Sequence, residues 1–497
     1  MDPHETEQND APTPAATLES LPLDRGPLQP KPSPVVTGLA AVVLLACLSL
    51  YGWLQISVPP LQRVHAPERA LALVVGRTLD LEEALTKLPA WERWLYRLTT
   101  DSGPHELLQA ITWYEELAAA EPQPLIHLQL AILQAEGGLL EEVRGTTDAW
   151  ARRPDPYPTY ARLLRAGYLQ PELDPAWWPR LQAELAETVP SGWFADRLAI
   201  NLATRSGDRP RVSAARAALV QRGDALVQRT RGLAVLEWGA LLLGLAAWWW
   251  ARSRRRGDQA FFRVGSAPLP PRWGGWDGVA VLVQGGALGL VLTLVVLVSI
   301  DLPPPVLAVI LIPLGNLPVL LLAYRYLFGG EMQGFRTSLG LWPLVGIWGR
   351  LGLAVATVVA AGLVGEGAIG LVADQFEVSD HWTEWFDSDL VWGSPGIASL
   401  TILQYVMLAP IFEELVFRGL LFGTLRRKLR WGAAAVISAA IFALAHGYGV
   451  LGFTSVLWSG VIWAWAYEKT GSLLPGMLAH AVNNLMVCLS VLLLLRF

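Results

Sequence analysis

Residues 408 to 419 read Leu408-Ala-Pro-Ile-Phe-Glu-Glu-Leu-Val-Phe-Arg-Gly419 and lie inside an apolar run from about 395 to 424. A helix needs about 20 apolar residues, at roughly 1.5 Å each, to cross the hydrocarbon of a bilayer, and this run is long enough. Glu413, Glu414 and Arg418 are costly there. At about 2.5 to 3.5 kcal/mol per charged residue near a helix centre, the three rival the roughly 5 to 15 kcal/mol that keeps a typical domain folded. Charges persist at such positions when they pair or when they do chemistry. Four residues of α-helix advance about 400°, so Glu414 and Arg418 share a face within ion-pair reach. Glu413 points about 100° away and is free to face a cavity.

Further apolar runs surround this one. Val35 to Val58 form an anchor that is too long, and too poor in preceding basic residues, for a cleaved signal peptide. Residues 1 to 34 before it are Pro-rich and acidic and are predicted to be a disordered cytoplasmic tail. Residues 59 to 231 interleave charges with Leu and Ala at helical spacing, as in His105-Glu-Leu-Leu-Gln-Ala-Ile-Thr-Trp-Tyr-Glu-Glu-Leu117, and predict a soluble helical domain. Its segments near 105 to 119, 125 to 136 and 139 to 152 resemble tetratricopeptide-like hairpins, without a clean repeat. A second span, 232 to 250, runs into the basic cluster Arg252-Ser-Arg-Arg-Arg256 and a linker over 251 to 277. Spans at about 278 to 300, 304 to 327 and 344 to 372 lie within 278 to 394, and those at 395 to 424, 432 to 449, 450 to 467 and 473 to 496 lie within 395 to 497.

Short basic loops stay in the cytoplasm. Alternating the spans puts both Arg252 to Arg256 and the cluster Arg426, Arg427, Lys428 and Arg430 on that side. The N-terminus is then cytoplasmic, and the domain 59 to 231 lies outside with the acidic, Trp-bearing loop 374 to 392. The expected fold is all-α: a polytopic transmembrane helix bundle with an extracytoplasmic soluble helical domain, in a bacterial plasma membrane.

Composition agrees with lipid as the main solvent, with 53% hydrophobic and 16% charged residues. The net charge of -5 and the lack of a basic stripe exclude nucleic acid as a partner. Cys47 and Cys488 both sit in apolar runs, away from any disulfide framework or zinc-finger spacing. The abundant Trp, including Trp248 to Trp250, is read as interfacial anchoring. Gly365-Glu-Gly-Ala-Ile-Gly370 matches a dinucleotide-binding spacing, but no strand precedes it, so it is read as small-residue helix packing. Neither a His-Glu-x-x-His motif nor a Walker A sequence occurs.

Two of the seven histidines lie in apolar segments, His446 after Phe442 and His480 four residues before Asn484. His480 and Asn484 share one helix face, and Phe442 and His446 share another. Three helices can therefore bring Glu413, Glu414, His446, His480 and Asn484 to one polar pocket. Hydrolysis of a peptide inside a membrane needs a confined water, a base and donors for the oxyanion. Glu413 is the candidate base, with His446 holding the water and His480 and Asn484 as donors. Glu413, His446 and His480 also match a His₂Glu catalytic zinc set, and the sequence leaves both versions open.

At these residues the chain resembles the CPBP (CAAX protease and bacteriocin-processing, Abi) family of intramembrane endopeptidases, which includes the type II CAAX prenyl endopeptidases. Glu413, Glu414 and Arg418 match its Glu-Glu-x-x-x-Arg motif, Phe442 and His446 its Phe-x-x-x-His motif, and His480 and Asn484 its His-x-x-x-Asn/Asp motif. Pro410, Phe417-Arg418-Gly419 and Thr470-Gly-Ser472 are also similar to it. The resemblance covers about 395 to 492 and implies a protease in which Glu413 and His446 activate water while His480 and Asn484 assist, with a peptide or protein substrate. Two other classes compete: a non-catalytic scaffold or bacteriocin-immunity-type protein binding an extracytoplasmic partner through 59 to 231, and a transporter using midplane carboxylates.

Overall fold

The computed structural model describes residues 30–99, 106–253, 263–342, 346–376 and 378–497. Most of the tail expected to be disordered, and Arg254 to Arg256 of the first basic cluster, lie outside the described residues. Every regular element among the described residues is helical, and eight helices are long and apolar enough to cross a membrane.

The first of them, α1 (Pro34–Ser57), leads into a helical layer of α2 (Pro67–Thr86), α3 (Ala90–Thr99), α4 (Glu106–Ala120), α5 (Pro124–Glu136), α6 (Leu140–Trp150), α7 (Tyr157–Leu164), α8 (Trp178–Thr188) and α9 (Trp193–Arg205). Helices α4 and α5 pack as a pair, as do α6 and α7. One apolar core runs through this layer, from Leu71 and Tyr114 to Leu164 and Leu198. Its periodic Leu and Ala positions bury the face that each short helix could not cover alone.

The expected boundary near residue 231 falls inside a single helix. Helix α10 runs unbroken from Arg209 to Ser253, and it packs both on α2 and α9 of the helical layer and on the apolar helix over 348–375. No Pro or turn signal falls between the two halves, and the charged pattern gives way to an apolar one within a single helix.

Among the described residues α10 is followed by α11 (Gly275–Ser299), α12 (Pro304–Tyr326), the short α13 (Met332–Ser338), α14 (Trp348–Gln375), α15 (Ser388–Trp392), α16 (Pro395–Arg426) and α17 (Trp431–Leu444). The chain closes with α18 (Val450–Thr470) and α19 (Leu474–Arg496). The span expected over 432 to 449 is shorter than anticipated. Helix α17 has 14 residues, or about 21 Å of rise, because the chain turns after Ala445 and Gly447 takes a φ of 68° that favours glycine.

The two ends of the bundle differ in what they hold. At one end the loop 378–387 packs Trp382 and Phe386 into the core of the helical layer, together with Cys488, Val491 and Leu495 of α19. Arg496 donates to the carbonyls of Leu390 and Gly393 at that end. At the other end Val264 and Ala267 bond to the Thr470 and Gly471 carbonyls, and Arg426 pairs with Glu468 at 2.9 Å. Residues 378–392 thus share a side with the layer of α2 to α9, and the basic turn 425–430 lies opposite.

Helix α16 is not the uniform α-helix that the sequence implies. Its Gln404–Leu408 and Glu414–Phe422 stretches are π-helical, flanking Ala409–Glu413. Pro410 offers no N–H to the ladder, and the hydrogen-bond register slips around it.

Candidate active site

Glu414 and Arg418 pair as anticipated despite the altered winding: Nη1 lies 2.9 Å from Oε1, and both side chains are almost fully buried. The guanidinium rests over the rings of Phe442, at 4.2 Å, and Trp463, at 5.0 Å. Space for it comes from α18, where a Cβ on Gly460 would stand 2.6 Å from Nη2. The Nε, Nη1 and Nη2 atoms make no aligned hydrogen bond, so charge pairing and the two aromatic faces hold this cation.

His480 reaches both glutamates. Its Nδ1 is 3.3 Å from Glu414 Oε1, and its Nε2 is 3.7 Å from Glu413 Oε2. The ring lies on the Trp463 indole, with centroids 3.9 Å apart and planes 17° apart. With Nδ1–H donating to Glu414, Nε2 faces Glu413. The side chain of Glu413 stays 25% exposed while that of Glu414 is 1% exposed, so one of two adjacent carboxylates is sealed and the other open.

His446 sits in the turn that ends α17. Its Nδ1–H donates to the Phe442 carbonyl at 2.8 Å, which leaves the Nε2 lone pair unused by that bond. Phe442 packs edge-on against His446, 4.6 Å between centroids, and touches His480 in the same way at 6.1 Å. The single Phe therefore spaces the two histidines.

Asn484 is directed elsewhere than expected. Its Nδ2 donates to the Tyr405 carbonyl at 2.9 Å. The π register explains why that carbonyl is available. Ala409 N–H bonds to Gln404 O, so the next donor in line for Tyr405 O is the nitrogen of Pro410, which carries no hydrogen.

Trp463 and Gly460 escaped the sequence reading, and Trp463, 5% exposed, corrects the view of tryptophan as interfacial. Trp193 and Trp382 are likewise core residues. Only the four-residue spacing of Gly460 from a second small residue, Ala464, hinted at a tight helix face. Gly365 packs closely on Trp458, as a helix-packing glycine should, whereas Gly370 meets nothing.

The zinc version needs Glu413, His446 and His480 to converge. Among the described residues no three His, Cys, Asp or Glu side chains form a group that could hold a metal ion. Both histidines commit Nδ1 to protein acceptors, which is how a metal-ligating imidazole is usually oriented, so it is the failure of Glu413, His446 and His480 to converge as a group that leaves the donor set unfit for the ion as arranged.

An all-helical membrane bundle with a buried Glu-Arg-His cluster is the class of protein that these features define. Residues 395–486, which contain the whole cluster, match the family described as Type II CAAX prenyl endopeptidase Rce1-like. The chain is also similar to "Putative membrane peptidase YdiL" of Bacillus subtilis (strain 168), 30% identical over 95 residues, which cover 18% of this chain and 36% of that one. A match to the UPF0177 protein YxdF of Lactococcus lactis subsp. lactis (strain IL1403) is 26% identical over 167 residues, 33% of this chain and 89% of the relative. The chain thus spans about a third of the length of YdiL. No solved structure matches it. At the family level these similarities support a protease in the C-terminal helices.

Proposed function

We propose that the protein is an intramembrane endopeptidase in which Glu413 is the general base. The supporting observation is the contrast between neighbours: Glu414 is closed against Arg418, while Glu413 is open and stands 3.7 Å from an imidazole. Glu413 takes a proton from water, whose oxygen attacks the peptide carbonyl carbon, and later returns that proton to the leaving amine. His446 accepts a hydrogen bond from the water through Nε2. His480 reaches the oxyanion through Nε2–H only as the imidazolium, because Nδ1–H faces Glu414; the remaining N–H of Asn484 is the second donor. Glu414 and Arg418 hold His480 in place.

In this reading residues 395–497 are the catalytic membrane domain, and 59 to 231 form an extracytoplasmic domain that selects the substrate or binds a partner. The basic turn at Arg426 to Arg430 supports a cytoplasmic N-terminus, and the bacterial relatives support a bacterial plasma membrane. Cleavage of a quenched peptide library by the purified protein tests it. Wild type is expected to cut and Glu413→Gln, equally folded, is not. Equal signals, or none from a folded wild type, favour the non-catalytic scaffold acting through 59 to 231.

A further inference from the structure

Helix α3 stands apart in the soluble layer. It places Trp91 and Trp94 three residues apart on one side, 65% and 58% exposed, while Tyr96 on its other side is buried among Leu81, Leu85 and Leu226. Two bonds fasten it to α10 at one level: the Tyr96 hydroxyl donates to the Val227 carbonyl at 3.3 Å, and Arg231 Nε donates to Glu92 at 2.5 Å. Arg231 immediately precedes the apolar half of α10, where Val235 and Leu236 are exposed.

The same level can be found on α14, which packs antiparallel to α10 with Gly244 against Ala356 and Ala360. Counting outward along both helices from that contact brings Arg231 opposite the last turns of α14. There Leu371, Val372 and Phe376 are exposed. Helix α3 itself packs against α14. The exposed apolar residues of the two spans thus reach the level at which α3 is fastened, where Trp91 and Trp94 are exposed as well. Tryptophan suits that border, because its ring is apolar and its N–H seeks water or a headgroup.

We propose that α3 is an interfacial helix whose Trp91 and Trp94 insert into the headgroup layer of the outward leaflet, so that the partner of this face is lipid. The helix lies along the membrane surface and braces the soluble layer where α10 enters the bilayer.

The test uses the full chain in lipid nanodiscs, with Cys47→Ala to remove the more accessible native thiol. Trp91→Cys, Trp94→Cys and, as a solvent control, Glu141→Cys each receive an environment-sensitive fluorophore. Labels at 91 and 94 are expected to emit to the blue of the label at 141, with several-fold stronger quenching by spin-labelled lipid and several-fold weaker quenching by aqueous iodide. Iodide quenching at both 91 and 94 equal to that at 141 overturns the proposal and leaves the face to a protein partner. Using two label positions guards against one substitution disturbing the helix.

Discussion

Asn484 gives the Tyr405 carbonyl the hydrogen bond that the Pro410 nitrogen cannot, at 2.9 Å across two helices. Two elements of the Glu-Glu and His-x-x-x-Asn segments are thereby physically linked. Asn484→Ala is expected to cost about 1 to 3 kcal/mol, the penalty of an orphaned buried acceptor. Pro410→Ala, which restores an N–H, is expected to recover part of that loss. Unfolding in micelles of the two single variants and the double variant measures the coupling, and strict additivity would argue against the link.

Glu413→Gln preserves shape and removes the proposed base. Cleavage is expected to fall about 10²- to 10⁴-fold, with the melting temperature within a degree or so of wild type. A parallel loss of stability would instead mark Glu413 as structural.

Arg418 is the only partner that neutralises Glu414 on its own helix. Removing either side of a buried pair typically costs about 3 to 5 kcal/mol, so Arg418→Ala should lower the melting temperature sharply. Arg418→Lys should rescue little, since an ammonium cannot lie flat on Phe442 and Trp463. Gly460→Ala should be destabilising by about 1 to 3 kcal/mol through crowding of the same guanidinium.

Trp463 fixes the plane of His480. Trp463→Ala is expected to reduce kcat by about 10²-fold, the scale of a misplacement near 1 Å, with KM little changed. Trp463→Phe keeps an aromatic face and should retain most of kcat. Equal effects of the two variants would show that packing volume, not the stacked plane, matters.

Sidedness can be read with a membrane-impermeant maleimide on intact cells. A cysteine replacing Glu141 should label from outside, and one replacing Lys428 should label only after permeabilisation. Labelling at 428 in intact cells would invert the proposed topology.

Hydropathy made the spans legible because a bilayer demands about 20 apolar residues in a row, and α1, α11, α12 and α16 end close to where the apolar runs end. The buried cluster proposed as the site was legible in its ionisable members, since lipid makes Glu413, Glu414 and Arg418 conspicuous. Trp463 was not, because a buried tryptophan and an interfacial one look alike in an apolar run. Nor was the direction of Asn484, which depends on a π register that helical-wheel reasoning omits. The continuity of the helix through Arg231 was not legible, because hydropathy reports a change of surroundings while the backbone hydrogen bonds of α10 continue through it.

That continuity has a mechanical consequence. Helix α10 is a single rod of 45 residues, about 68 Å long, with one end in the soluble layer and the other among the spans. A swivel would let the outer layer turn independently, but a rod carries bending and torque from one end to the other. A pull on the layer of α2 to α9 is therefore transmitted to α14, which grips the rod at Gly244, and through α14 to α18 and α19, which carry Trp463 and His480.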